Sequence, residues 1–469
     1  MNKTPKETSA KRYQRIGIAW LLSAVLTFIT VYAGYRLYLA HKIKVKIGQI
    51  RQSGFPVTTA ELDQWYAAVP PEQNAALIMT NAFAHLVKVN TNTPNLPIIG
   101  RGKLPLRNEP LPPEMRQAIA DYVVTNQMAL ELLEKGLALK SCRYPVDLTP
   151  GWDALLPHLV GLKQSAQLLA LKALSNIDNG DTDEAAESLL RMLRLADTIA
   201  KEPLLVSHLV RMACYQMNYP CLERILCRGS LHDSSLRRFS TLLQSMESSN
   251  GFERGVLADR CVGLQSFDYS VAQMTQLLAN SGDHNADDFG VAAGFWILRI
   301  TGRWHLDELY FLSRIDEYLA AVSLPLPDRL EVADEVSNGI QQMKRKKYPY
   351  FLSGMFLPGL GKAFDKDATH IALLRTTHAA LAVERYRLEH QNQLPETLRD
   401  AVQNSPRALS LDPFDRQQLR YKRLGKGYLV YSVGPDGEDN GGAEEKRLSN
   451  AQRLAGAGEP SDITFTVER

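Results

Sequence analysis

LLPHLVGLKQSAQLLALKALSNIDNGDTDEAAESLLRMLRLA, residues 155–196, gives the clearest indication of how this chain folds. Its apolar residues recur at spacings of three and four, the period of one helix face, on both sides of an Asn-Gly-Asp break at 179–181. They are Leu155, Leu159, Leu162, Ala166, Leu169 and Ala173 before the break, and Ala185, Leu189, Met192, Leu193 and Ala196 after it. Asp181 or Thr182 can cap the second helix. The stretch therefore predicts two antiparallel helices that pack through their apolar faces.

The same helical periodicity extends in both directions and predicts an all-α body at 50–393. Thr58 or Thr59 is a candidate cap for its first helix. Further helices are predicted at 233–249, 252–280, 304–323, 328–346 and 365–392. Residues 90–113 are rich in Pro, Asn and Gly, and predict a long loop. The segment around 179–186 resembles one tetratricopeptide-type hairpin, but no second copy follows, which favours a generic helix pair.

Residues 16–35, IGIAWLLSAVLTFITVYAGY, contain no charge. A helix of this length spans about 30 Å, the thickness of a bilayer core. A cleaved signal peptide usually has a shorter apolar region, and a core helix would not be expected between basic flanks at an N-terminus. We therefore predict a transmembrane anchor at 16–40, preceded by a basic disordered tail at 1–15.

The charge distribution limits the classes of partner that this chain is expected to bind. The chain of 469 residues carries a net charge of +3, yet its first 51 residues hold ten Lys and Arg and one Glu, so the remainder is mildly acidic. An acidic body argues against nucleic-acid binding. Five basic residues lie on each side of the apolar segment, so the positive-inside rule barely distinguishes two orientations. Because large domains translocate largely regardless of charge, we expect a bacterial inner-membrane protein with its body on the periplasmic side.

The sequence shows no nucleophile elbow, phosphate-binding glycine loop or HExxH motif. Its five cysteines lack the close CxxC pairs of zinc sites, and their odd number in a long chain is not a disulfide framework. His370, His378 and Glu384 fall on one predicted helix, but the histidines are more than two turns apart. We interpret these groups as structural.

At residue 394 the helical pattern gives way to strand patterns. Residues 419–424 and 428–433 are rich in β-formers and joined by Gly-Lys-Gly, which predicts a β-hairpin in a small module at 394–442. Residues 443–469 are predicted to be a flexible tail. The fold class is thus mainly α, with an N-terminal transmembrane helix, a body of antiparallel helix hairpins and a small C-terminal β module.

The run LPETL…LDPFDRQQLRYKR…GYLVYSVGPDGEDNGG, within 394–442, resembles the C-terminal module of the major pseudopilins of type II secretion systems. The resemblance extends to an Asp-Ile pair at 462–463 and implies a calcium site with Asp436, Asp439 and Asp462 as oxygen ligands. From the residues alone, a Gly-permitted acidic turn suits a hard cation, and a solvated turn without an ion is the alternative. The chain lacks the family's prepilin cleavage motif and carries an additional helical body.

These observations predict a single-pass, membrane-anchored interaction or scaffold protein of the bacterial envelope with protein partners. Two alternatives stay open. One is an enzyme whose site is assembled from distant helices. The other is a pseudopilin-like component of a secretion machine. No small-molecule substrate can be named.

Overall fold

The computed structural model describes residues 5–280, 288–345, 350–402, 411–444 and 461–469. The chain is about 67% helical, with one long apolar N-terminal helix and a three-stranded antiparallel sheet near the C-terminus. The predicted fold class is confirmed.

The N-terminal helix α1 (Pro5–Gln52) is longer than the predicted anchor. Residues 5–15, predicted as disordered, are its first turns, because Lys, Arg, Gln and Ala extend a helix at little cost. Its apolar window has a mean hydropathy of 2.0 and is not buried against the rest of the chain. By length and composition, α1 alone among the described helices is able to cross a membrane, as an anchor or as a signal sequence. Beyond Arg36 one face of α1 packs on the body through Leu39, Ile43 and Ile50.

The first half of the body consists of helix hairpins. Its helices are α2 (Thr59–Trp65), α3 (Ala75–Ala84), α4 (Pro113–Thr125), α5 (Gln127–Leu137), α6 (Pro157–Asp178), α7 (Thr182–Asp197) and α8 (Leu205–Arg228). Thr58 caps α2 and Asp181 caps α7, each by accepting a backbone N–H. The predicted hairpin is α6 against α7. The loop between α3 and α4 contains no helix or strand, as predicted.

The second half continues with α9 (Asp233–Glu247), α10 (Gly251–Ser266), α11 (Val271–Asn280), α12 (Asp288–Ile300), α13 (Arg303–Val322), α14 (Asp328–Arg345), α15 (Phe351–Glu389) and α16 (Leu398–Ala401). Among the described residues, two large hydrophobic cores result. The larger lies around α6, α7 and α8, and the smaller around α13, α14 and the start of α15. Four of the five cysteines are buried and all five are free thiols.

The C-terminal sheet has strands β1 (Arg420–Leu424), β2 (Gly427–Ser432) and β3 (Ile463–Glu468), in the order β1-β2-β3. The predicted hairpin is β1 and β2. The predicted flexible tail at 443–469 is wrong for β3, because Phe465 and Val467 alternate toward the core and pair with β2. The module is also not separate: its buried side chains join the same core as α6–α8, and β2 and β3 pack on α15.

Candidate functional site

A cleft of about 860 Å³ opens where α2, α5, α7 and α10 approach one another. Its lining comes from residues 65–70 at the end of α2, 137–142 after α5, 194–201 at the end of α7, and Arg254 of α10. All four segments are helix ends or the turns that follow them.

Two aromatic side chains form the floor of the cleft. The guanidinium of Arg254 lies 4.1 Å from the centre of the Trp65 ring, and that of Arg143 lies 4.5 Å from the centre of the Tyr66 ring. Arg143 also donates to the carbonyl of Tyr66, which fixes the chain at the end of α2. Within the described chain the buried hydroxyl of Tyr66 has no hydrogen-bond partner. Burial, followed by the charge of Glu202, raises the pKa of Tyr66. This hydroxyl therefore stays protonated, and it lies beneath the surface of the cleft.

The rim of the cleft is cationic. Lys140, Arg194 and Lys201 are exposed there, and Arg254 is half-buried. The acidic lining residue, Asp197, accepts a hydrogen bond of 2.8 Å from the buried Arg211 of α8. Its charge is therefore already compensated from behind, and the rim carries an excess of positive charge.

The wall of the cleft carries polar groups that are not activated for catalysis. Burial raises the pKa of the Cys142 thiol to about 12, so the thiol is protonated at neutral pH and a poor nucleophile. Next to it, the hydroxyls of Tyr144 and Thr198 are 3.1 Å apart.

A buried polar network lies behind this wall. The Tyr144 ring stacks on His158, whose Nε2 is 3.0 Å from Oε1 of Glu202, and Ser207 donates to the same oxygen. Among the described residues, Oε2 of Glu202 has no partner. None of His158, Glu202 and Ser207 lines the cleft, so they support its wall rather than face a ligand.

The histidines of α15 do not form a site with Glu384. His370 is buried, and burial with the nearby His208 and Arg211 charges lowers its pKa well below the usual value. His378 lies 3.2 Å from the amide nitrogen of Gln244. Glu384 instead accepts hydrogen bonds from Arg387 of the same helix and from Arg469, which directly follows β3. The contact with Arg469 ties the end of α15 to the C-terminal sheet.

The three predicted calcium ligands lie in one loop region, but their carboxylates bind donors of the loop and of the preceding strand β2. Asp436 accepts from the backbone of Glu438, and Asp439 accepts from the hydroxyl of Tyr431. The nearly buried Asp462 accepts from two backbone N–H groups of the same loop. Over the described ranges, no group of three or more His, Cys, Asp or Glu side chains is able to hold a metal ion. In the described part of the loop these carboxylates are held by donors of the protein, and calcium binding stays a prediction of the resemblance.

Sequence reasoning did not find the cleft. Trp65 and Arg254 are far apart in the chain and meet only because α2 packs on α10. The sole local signal was an aromatic pair at a helix end before Pro70-Pro71, which also suits a simple turn. Comparison with family models, with curated proteins and with solved structures finds no match to this chain.

Proposed function

We propose that this chain is a single-pass, membrane-anchored interaction protein of the bacterial envelope. Its helix α1 serves as the anchor. Its helical body binds an acidic segment of a partner protein in the cleft between α2, α5, α7 and α10. The observation that carries the proposal is the combination of an aromatic floor with a cationic rim.

Charge and shape both support an acidic peptide segment. Exposed Lys and Arg attract an acidic chain and set its orientation. The partly exposed ring of Trp65 supplies rigid apolar contact area. A protonated Cys142 is consistent with binding rather than covalent chemistry.

An enzyme is the second candidate, because the His158–Glu202–Ser207 network lies directly behind the cleft wall. For catalysis these groups would have to reach a ligand, and they are buried behind Tyr144. The pseudopilin resemblance of the C-terminal module suggests a third candidate, a component of a secretion machine. In that case the acidic partner would belong to that machine.

The test measures binding of a fluorescent hexaglutamate peptide to the full chain in nanodiscs by anisotropy. Replacing Lys201 and Arg254 with Ala removes two rim charges worth about 1 kcal/mol together, so affinity falls about fivefold. Trp65→Ala should weaken binding further by removing the floor. Lys88→Ala, an exposed lysine outside the cleft, is the matched control and leaves affinity unchanged.

Binding must also weaken as salt rises, because the rim charges are exposed to solvent. Equal affinity in the Lys201/Arg254 variant and the Lys88 variant would overturn the proposed site. Thermal melts of each variant verify that the fold is retained.

A further inference from the structure

Helix α12 presents an apolar face to solvent. Ala293, Trp296, Ile297 and Ile300 follow one another at spacings of three, one and three, which places all four on one side of a helix. Trp296 is 55% exposed, Ile297 57% and Ile300 66%. Large apolar side chains gathered on one exposed helix face mark an interaction surface.

The opposite face of α12 is firmly attached, so the exposure does not arise from a loosely packed helix. Phe295 is buried against Trp304 of α13. The guanidinium of Arg299 lies 4.3 Å from the centre of the Phe295 ring and donates to the carbonyls of Phe267 and Tyr269. These contacts fix which side of α12 faces outward.

The end of α12 lies against α1 at the point where the apolar segment of α1 ends. The Tyr32 hydroxyl donates to the carbonyl of Ile300, and Arg36 donates to the carbonyl of Arg299 over 2.5 Å. Tyr32 and Arg36 lie at the C-terminal end of the uncharged stretch 16–35, where aromatic and basic side chains meet lipid headgroups. The C-terminal end of α12 is therefore level with the membrane surface if α1 spans the bilayer.

We propose that α12 is an interfacial helix whose exposed face inserts into the lipid on the same side as the body. This inference rests on the proposed anchoring of α1 and extends it to a second contact with the membrane. Trp296 is suited to the boundary between headgroups and acyl chains, and Ile297 and Ile300 supply apolar area. The exposed Arg303, at the start of α13, is placed to meet anionic headgroups. Two contacts hold the body in one orientation at the surface, which a single helix cannot do.

The test uses the full chain in vesicles of anionic phospholipid, with lipids brominated near the headgroup end of the acyl chain as fluorescence quenchers. Comparison of the wild type with Trp296→Phe isolates the quenching of Trp296, and comparison with Trp20→Phe isolates that of Trp20 in the apolar segment. We expect the brominated lipid to quench both residues. Trp152, which is 42% exposed on the body, should respond to aqueous acrylamide instead.

The outcomes separate the two proposals. Quenching of Trp20 without quenching of Trp296 would overturn the interfacial helix and leave the anchor intact. Absence of quenching at both positions would overturn the anchor and this inference with it. If Trp296 responds neither to lipid nor to acrylamide, a protein surface such as a second copy covers α12, and the lipid contact is wrong. Melting of each variant in the same vesicles verifies the fold.

Discussion

At the scale of single residues, the buried carboxylate of Asp412 stabilises the turn that precedes β1. Asp412 is 1% exposed and accepts from the backbone of Phe414 and Val433, the hydroxyl of Ser432 and the guanidinium of Arg420. Burial raises the pKa of Asp412 even so. The carboxylate of Asp412, in the Asp-Pro-aromatic turn of the sequence, thus connects β1 to the end of β2 through hydrogen bonds.

Replacing Asp412 with Ala leaves these donors unpaired. Breaking a buried charged pair typically costs about 3–5 kcal/mol, and we expect a loss of that order in the free energy of unfolding. Denaturant unfolding followed by circular dichroism measures it. Asp436→Ala, an exposed carboxylate in the next loop, should stay within about 0.5 kcal/mol without added calcium. Similar losses in both variants would contradict the role of Asp412.

Two carboxyl groups of α13, Asp307 and Glu308, should make the stability of the fold depend on pH. Asp307 accepts from the first backbone N–H groups of α15, and burial raises its pKa to about 6. Burial, with the charges of Asp268 and Asp307, raises the pKa of Glu308 from 4.5 to about 7. The folded state therefore holds these protons more tightly than the unfolded chain. The free energy of unfolding falls as the pH rises from the ordinary pKa values of 3.8 and 4.5 to the raised values of about 6 and about 7.

We expect the melting temperature of the wild type to fall between pH 5 and pH 8, and Glu308→Gln to reduce that fall. Glu335→Gln, an exposed position on α14, serves as the control and should leave the difference unchanged. Scanning calorimetry at the two pH values gives the comparison. A wild-type difference that Glu308→Gln does not alter would show that Glu308 is not the group responsible.

At the scale of elements, the C-terminal sheet is part of the body. The backbone N–H of Thr466 in β3 donates to Glu223 of α8 over 2.7 Å, and the Tyr428 hydroxyl donates to the carbonyl of Ala380 in α15. Arg107, from the long loop, binds Glu444 through two hydrogen bonds. The loop, the sheet and two central helices therefore stabilise one another.

This arrangement predicts that Phe465→Ala destabilises the whole body. Phe465 is fully buried and contacts Tyr219 edge-on, and such a truncation typically costs about 3–5 kcal/mol. Thr464→Ala, on the other face of β3, should cost less than about 1 kcal/mol. Urea unfolding monitored at a helical wavelength is the measurement. Equal and small effects would mean that β3 is a detachable tail.

Calcium provides a separate test of the same region. The pseudopilin resemblance predicts that calcium raises the melting temperature relative to chelator, and that Asp439→Ala abolishes the difference. If the loop is stabilised by its own hydrogen bonds alone, the protein would instead melt at the same temperature with calcium and with chelator. Equal melting temperatures would contradict the calcium prediction.

At the scale of the whole molecule, if α1 spans the membrane, its orientation determines which partners the cleft can meet. We expect a reporter fused after Arg469, active only outside the cytoplasm, to be active, because large C-terminal domains translocate largely regardless of flanking charge. A reporter that is active only in the cytoplasm should stay silent at the same position. The reverse result would put the cleft in contact with cytoplasmic proteins and would contradict an envelope role.

The sequence predicted local features well because they depend on neighbouring residues. Thr58 and Asp181 are caps as expected. The stripe of 155–196 is the α6–α7 pair, except that Leu155 precedes α6 and is exposed. The sequence did not predict contacts between residues that are far apart in the chain, such as that between Trp65 and Arg254. It also missed β3, although Ile463, Phe465 and Val467 alternate, because one short strand after a Gly- and Glu-rich stretch gives little signal. The extent of α1 was underestimated because charged residues mark the edge of a membrane rather than the end of a helix.

The place of β3 in the sheet has a consequence for biosynthesis. β2 pairs with β3 through residues 463–468, so a nascent chain that has emerged only as far as residue 444 exposes the edge of β2 and an incomplete core. An unpaired, apolar strand edge invites aggregation until its neighbour arrives. Pausing of synthesis between these segments, and chaperones that shield such edges, should therefore influence the yield of this protein.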